Sequence, residues 1–573
     1  MNNTTEKKKN FILQAGILAA AGIIVRIIGI LYRSPLVLII GDEGNGYYNT
    51  AYGIYTIILL VSSYSIPSAI SKVIAARLSV NEYRNAYRLL IGAFIYVFIV
   101  GGAGSLFCFF CADKIVGASS AQVLKIFAPT VFLSGLLGTL RGYFQAHRTM
   151  VFTSVSQIIE QIANAVMSIL MAYILTKNIL KANETEYAIA GAKGSAIGTG
   201  AGVAVALIFM LMAYLANRGT FRTWVRDDRT KHLLGPWEVT KIIFGMVTPI
   251  VLSTCIYNLS IASNLKIYQN IMMDIKGVSE AIATTRYGLF SAKAMQIVNI
   301  PIAIAAAMSS AIIPTIAHTH ERGEIAEGKT KIAYAIKITM LIAMPAAFGL
   351  FALSEPITIL LYPQKASYLI VSKLIKALSV TVIFYCLSTL SNAILQATGN
   401  VNIPVINAAV SLVVQTAVLV GLLLHTELDL YSLVIATIVY SLMMCVLNGI
   451  AMKRRLGYNQ EIIRSYILPL FASFWMGVFA VGCNQLITYL IRLRIGPDTM
   501  VGGVYNLIRL VITIVLAGLL YAVLVLHYGI ATEKEILGMP KGRMIVKALR
   551  KIGIIQEYDI VTRKRNRQAR NKN

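Results

Sequence analysis

Arg26 and Arg33 stand seven residues apart within a largely apolar run, 11–40. Seven residues are two helical turns, so both guanidinium groups share one face. An arginine near a bilayer centre costs at least about 2.5–3.5 kcal/mol on insertion scales, which demands a partner or a wet cavity. Arg286 and Lys293 repeat the spacing, and Gln296 and Asn299 continue their stripe. A cavity lined by these cations suits an anion, and a pyrophosphate offers several oxygens to forked hydrogen bonds. Simpler readings stand beside this one. Arg33 and Arg286 lie near predicted helix ends, from which they could snorkel to head groups. Arg26 is mid-run, where the alternative to a cavity is a buried ion pair.

Gln157, Gln161, Asn164 and Ser168 form a second polar stripe, with Glu160 beside it. It could take sugar hydroxyls or a coupling ion. It could equally join helices, each such bond being worth about 0.6 kcal/mol. Gly194, Gly198 and Gly202 recur every four residues and let another helix approach closely. Pro35, Pro67, Pro301 and Pro404 mark hinges or static kinks. The run Gly323 to Thr330, GEIAEGKT, matches the phosphate-loop pattern literally, but it follows a helical run rather than a strand, so no nucleotide site is expected. His318 and His320 lack further ligands, and the six cysteines lack metal-ligand spacing, so neither a metal nor another cofactor is predicted. No paired acids or nucleophile constellation faces a common site, which argues against an enzyme.

The elements that carry these residues follow from composition. Of 573 residues, 57% are hydrophobic and 13% charged, which points to a polytopic all-α membrane protein. About fourteen runs are long enough to span a bilayer. They fall at 11–40, 48–73, 89–112, 123–140, 151–175, 188–216, 242–268, 285–317, 332–353, 374–396, 403–424, 430–452, 462–491 and 504–526. The expected organisation is a six-helix lobe over 1–216, a basic cytoplasmic linker at 217–241, and a second six-helix lobe over 242–452. Two further helices then fill 453–528, and a basic cytoplasmic tail follows at 529–573. Tyr52-Gly53-Ile54-Tyr55 recurs as Tyr287-Gly288-Leu289-Phe290, Ser68-Ala69-Ile70 as Ser310-Ala311-Ile312, and Phe144-Gln145-Ala146 as Leu395-Gln396-Ala397. A repeat of six helices keeps its orientation, so a pseudo-twofold along the membrane normal is expected, with a cleft between lobes.

The net charge of +27 sits in short segments and in the tail, as topogenic charge does, and not in a nucleic-acid footprint. Alternating the loops places roughly 35 Lys/Arg on the side of both termini and roughly 13 on the other, which makes the termini cytoplasmic. The tail, with Met544, Ile545, Ala548, Leu549 and Ile552 on one helical face, is expected on the anionic inner leaflet. The four predicted helices that would line the cleft, the first, second, seventh and eighth, contain no Asp or Glu, which disfavours a carrier of organic cations.

Three passages resemble the bacterial stage V sporulation protein B and MurJ-type lipid II flippases of the multidrug/oligosaccharidyl-lipid/polysaccharide exporter superfamily. Arg26-Ile27-Ile28-Gly29-Ile30-Leu31-Tyr32-Arg33 leads into Gly41-Asp42-Glu43-Gly44-Asn45-Gly46-Tyr47-Tyr48, and Ile66-Pro67-Ser68-Ala69-Ile70-Ser71-Lys72 and Gln157-Ile158-Ile159-Glu160-Gln161 follow. The residue before Ile66 is Ser65, where the resembling family usually has glycine. The resemblance implies a central cationic cavity and export of an undecaprenyl-pyrophosphate-linked muropeptide across a bacterial cytoplasmic membrane, with cell-wall synthesis machinery as a possible partner. Arg26 and Arg33 match the family's first-helix arginines by position, whereas Arg286 and Lys293 match only by their location in the eighth helix. Flippases for other oligosaccharides on the same carrier, and drug/cation antiporters, are the alternatives.

Overall fold

Inside hydrocarbon a backbone must satisfy its own polar groups, so long apolar runs become helices. No strand occurs among the described residues. The computed structural model describes residues 2–530 apart from 61, 63–65, 148, 180–182, 231, 365, 401 and 496–502. Within helices its description excludes the side chains of 2–20, 23, 30, 68, 246–262, 307–315, 317, 318, 321, 494 and 495. The basic tail, Ser65 and the Ser310-Ala311-Ile312 repeat therefore lie outside the description.

Helix α1 covers Asn2–Leu59 in two arms, broken at Gly41 by φ 72° and ψ 179°, a backbone that resists a side chain. The second arm folds back on the first. Arg33 and Tyr52 come within electrostatic reach of each other, whereas a straight helix would hold them about 28 Å apart. The first half continues with α2 (Ile66–Ser79), α3 (Tyr83–Phe110), α4 (Ala118–Ala146), α5 (Val151–Thr176) and α6 (Glu184–Asp227). The second half comprises α7 (Pro236–Asn270), α8 (280–321, with a π-helical turn at Leu289–Ala294), α9 (Ile325–Leu361), α10 (Tyr368–Ala397), α11 (Asn402–His425) and α12 (Leu430–Leu456). Helices α13 (Ile463–Leu493) and α14 (Gly503–His527) pack on α9, where Phe348 meets Phe474 edge-on and Tyr521 donates to Leu341 O at 3.0 Å.

Twelve helices among the described residues are long and apolar enough to cross a membrane. The count of fourteen is not matched. The second expected span is divided between the second arm of α1 and α2, and the middle of α7 lies outside the described side chains. Exposed Phe98, Phe110 and Val413 belong to a broad apolar exterior, as a lipid-facing surface requires. The phosphate-loop match follows a helix and not a strand: Gly323, with φ 71°, turns the chain after α8, and Ile325 to Thr330 are the first residues of α9.

The linker is shorter than the basic segment 217–241, because α6 runs on to Asp227 and α7 starts at Pro236. What lies between is held to the start of α3. Buried Asn85 donates to His232 O and accepts from Leu234 N, both at 2.9 Å, and Asp228 accepts the Arg84 N–H at 2.6 Å.

Helices α5 and α6 approach at backbone contact, as the glycine repeat requires. A Cβ on Gly194, Gly198 or Gly202 would stand 2.4, 2.2 or 2.6 Å from backbone atoms of Ala172, Ser168 or Glu160. Gly198→Ala should destabilise the protein by about 1–3 kcal/mol through overpacking, read as a lowered unfolding temperature in detergent. Gly219→Ala, on the same helix with nothing within 4 Å of the added carbon, should not lower it.

Candidate functional site

The fold-back at Gly41 decides what the first-helix arginines meet. Arg33 is half-buried, donates to Gln296 Oε1 on α8, and has Tyr32, Tyr48, Tyr52 and Tyr362 within electrostatic reach. Among the described residues no carboxylate pairs with it. Arg26, one face and two turns away, is exposed, and no described residue gives it a hydrogen bond or ion pair.

The eighth-helix cations are placed differently from the free stripe expected. Lys293 has no exposed surface, and its Nζ binds Asp42 Oδ1 at 2.5 Å, Gln364 Oε1 at 2.9 Å and Ser367 Oγ at 3.1 Å. Its ammonium also sits 5.2 Å from the centre of the Tyr362 ring. Arg286 pairs with Asp429 at 2.7 Å, and Tyr268 donates to the other oxygen of that carboxylate at 2.6 Å. The sequence reading missed both acids. Asp42 lies in a glycine-rich stretch taken as a loop between two spans, yet it belongs to the first turn of the second arm of α1. Asp429 precedes α12 at the same end of the bundle. The expectation of acid-free lining helices fails: α1 contains Asp42 and Glu43, α7 contains Glu238 and α8 begins at Glu280, although Asp42 is committed to Lys293.

The α5 stripe is divided. Glu160 pairs with Arg141 of α4 at 2.7 Å, and Arg141 also donates to Ser156 Oγ at 2.8 Å. Asn164 joins three elements: it donates to Tyr32 OH at 3.4 Å, and accepts from Ser168 at 2.9 Å and Thr199 at 3.3 Å. Thr199 in turn meets Tyr48 OH at 3.1 Å, so this network staples both arms of α1 to α5 and α6. Gln161 lies against α1, where a Cβ on Gly29 would be 3.2 Å from its amide nitrogen. Gln157 is half-buried on the same helix.

At the Gly41 end the two halves touch closely. A Cβ on Gly46 would stand 2.8 Å from Thr284 O, and one on Gly288 3.0 Å from the Cα of Gly46. Gln269 donates to Thr50 Oγ1 at 3.2 Å and Lys266 to Ile115 O at 2.9 Å. Repeat-related Gly53 and Gly288 both face the opposite half, Gly53 against Leu265. Among the described residues no cluster of His, Cys, Asp or Glu is placed to hold a metal, and the described cysteines are free.

Residues 83–495 match the family model of the lipid II flippase MurJ. The chain belongs to the MurJ family. Its relatives include stage V sporulation protein B of Bacillus subtilis (strain 168), 22% identical over 94% of this chain and 100% of that protein. The lipid II flippase MurJ of the same organism is 22% identical over 79% and 85% of the two chains. A solved MurJ in an inward closed conformation superposes with a TM-score of 0.62 at 14% identity, over 89% of this chain and 98% of that one. An inward-facing multidrug-resistance MATE transporter gives 0.60 at 15% identity, over 76% and 98%. These structural likenesses establish the shared fold.

Breaking the Lys293 pair from one side leaves a buried charge, which costs about 3–5 kcal/mol, while removing both partners is far milder. Lys293→Met and Asp42→Asn should each lower the unfolding temperature sharply, and the double variant should recover most of the loss. Additive losses in that double-mutant cycle would show that the pair does not couple.

Proposed function

We propose that this MurJ-family chain moves a pyrophosphate-linked glycolipid of the lipid II type from the inner to the outer leaflet of the cytoplasmic membrane by alternating access. The observation that carries the proposal is Arg33. It faces the junction of the two halves with a neutral amide as its hydrogen-bond partner, so its charge is available to an incoming anion. A guanidinium fork suits pyrophosphate oxygens, and exposed Arg26 extends the cationic face by two turns towards the chain's first residues. Arg286 and Lys293, held by Asp429 and Asp42, act in this scheme as fasteners of the Gly41 end rather than as first ligands of the cargo. Glu160, Gln157 and Gln161 lie on the α5 side for the sugars, and Asn164 serves the helix staple.

The orientation that fits the Lys/Arg bias puts both termini in the cytoplasm and the Gly41 end outside. The lobes are then closed outward, and the cycle requires the contacts of Gly46, Thr50 and Lys293 to part. The basic tail would rest on the anionic inner leaflet. A carrier of organic cations fits less well, because Asp42 and Glu160 are already paired with Lys293 and Arg141.

Reconstituted into vesicles, the protein should translocate fluorescent lipid II, and Arg33→Ala should reduce the rate roughly ten- to a hundredfold, as loss of a charge-assisted contact predicts. Arg26→Ala should act in the same direction. Full activity in both variants would remove the arginines from the mechanism, and equal transport of a polyprenyl pyrophosphate bearing a different glycan would widen the substrate class. Cysteines at Thr50 and Gln269, oxidised to a disulfide, should stop transport, and reductant should restore it.

A further inference from the structure

Four tyrosines surround Arg33, and they are not equivalent. Tyr32, Tyr48 and Tyr362 are buried at 8%, 3% and 2% exposure. Tyr48 spends its hydroxyl on Thr199, and Tyr362 turns its own towards Ala292 O beneath the Lys293 ammonium. Tyr52 is the one of the four that is not buried. Its ring is nevertheless held firmly. It stacks on Tyr48 at 5.7 Å with 16° between planes, meets Phe127 edge-on at 5.9 Å, and leans on Tyr55 at 5.6 Å.

Tyr52 also lies near two charges of opposite kind. Arg33 and Glu160 are both within its electrostatic reach, and the Glu160 side chain is 30% exposed although paired with Arg141. A partly open aromatic ring held in place by its neighbours, with a cation and a carboxylate both near it, is the arrangement that a pyranose joined to a phosphate needs. Its C–H face lies on the ring, its anomeric phosphate reaches the guanidinium, and its hydroxyls meet polar groups at the rim.

We infer that Tyr52 is the platform for the first sugar of the lipid-linked cargo, and that it sets the preference for a glycosylated pyrophosphate over a bare one. This rests on the function proposed above and adds a specificity residue to it. The ring acts as a positioning surface, so its effect is read in the ratio of two affinities and not in either alone.

The test measures equilibrium binding of undecaprenyl pyrophosphate and of the same lipid carrying a disaccharide, in the native protein, Tyr52→Phe and Tyr52→Leu. The native protein should prefer the glycosylated lipid. Tyr52→Leu should shrink that preference roughly three- to tenfold, the range expected for one aromatic contact, and Tyr52→Phe, which keeps the ring, should restore it. A merely structural role would weaken both lipids together and leave the ratio unchanged in a folded Tyr52→Leu protein, which overturns the inference. A native protein without preference also overturns it while leaving the proposed function standing. A native protein that binds neither lipid overturns both.

Discussion

A lysine with no exposed surface, Lys293, holds its charge inside a helical bundle, and that constraint organises the Gly41 end. Removing an ammonium from water costs several kcal/mol unless a counter-charge and further acceptors surround it. Asp42, Gln364 and Ser367 supply them. Asp42 belongs to α1, Lys293 to α8, and Gln364 and Ser367 to the connection between α9 and α10, so one charge ties three parts of the chain together. The π-helical turn at Leu289–Ala294 contains Lys293, and such turns re-aim side chains where a regular helix would not. The glycine contact between Gly46 and Gly288 lets the two helices come close enough for the ammonium and carboxylate to meet.

The same bend at Gly41 that delivers Asp42 to Lys293 delivers Arg33 to the tyrosines of the second arm. The two outcomes differ in charge balance. Lys293 is neutralised, and Arg33 has neutral neighbours. Cations of equal formal charge on two stripes of the same spacing therefore divide into a structural one and one whose charge is unmet by a described carboxylate. Net charge along a helix could not have separated them, because the separation is made by acids that are remote in sequence.

The all-helical membrane fold was legible from hydrophobic run length, since inside lipid no other open arrangement satisfies the backbone. The α5–α6 contact was legible from glycines four apart, because close approach needs small residues in that register. The bend was less so. Gly41-Asp42-Glu43-Gly44 has the composition of a loop, and nothing in propensity says that helix resumes immediately after Gly41 and includes Asp42. The division of the α5 stripe into an ion pair at Glu160 and a staple at Asn164 likewise depends on Arg141, Tyr32 and Thr199. Periodicity shows which residues share a face, and not which neighbours face them.

The internal repeat makes the asymmetry of the lining measurable. With Tyr52 aligned to Tyr287, the positions of α1 that answer Arg286 and Lys293 are Ala51 and Ile58. The second half thus has two cations where the first has apolar residues, and the first holds Arg26 and Arg33. The repeat-related tyrosines have diverged in the same sense: Tyr287 is 3% exposed and Tyr52 is partly open. Two halves that differ in polarity in this way cannot grip a cargo equally. On the proposed mechanism the first half carries the anion and sugar, and the second half supplies the contacts whose release opens the Gly41 end. A division of this kind lets the cargo stay bound to one lobe while the other moves, which is what rocking about a pseudo-twofold requires.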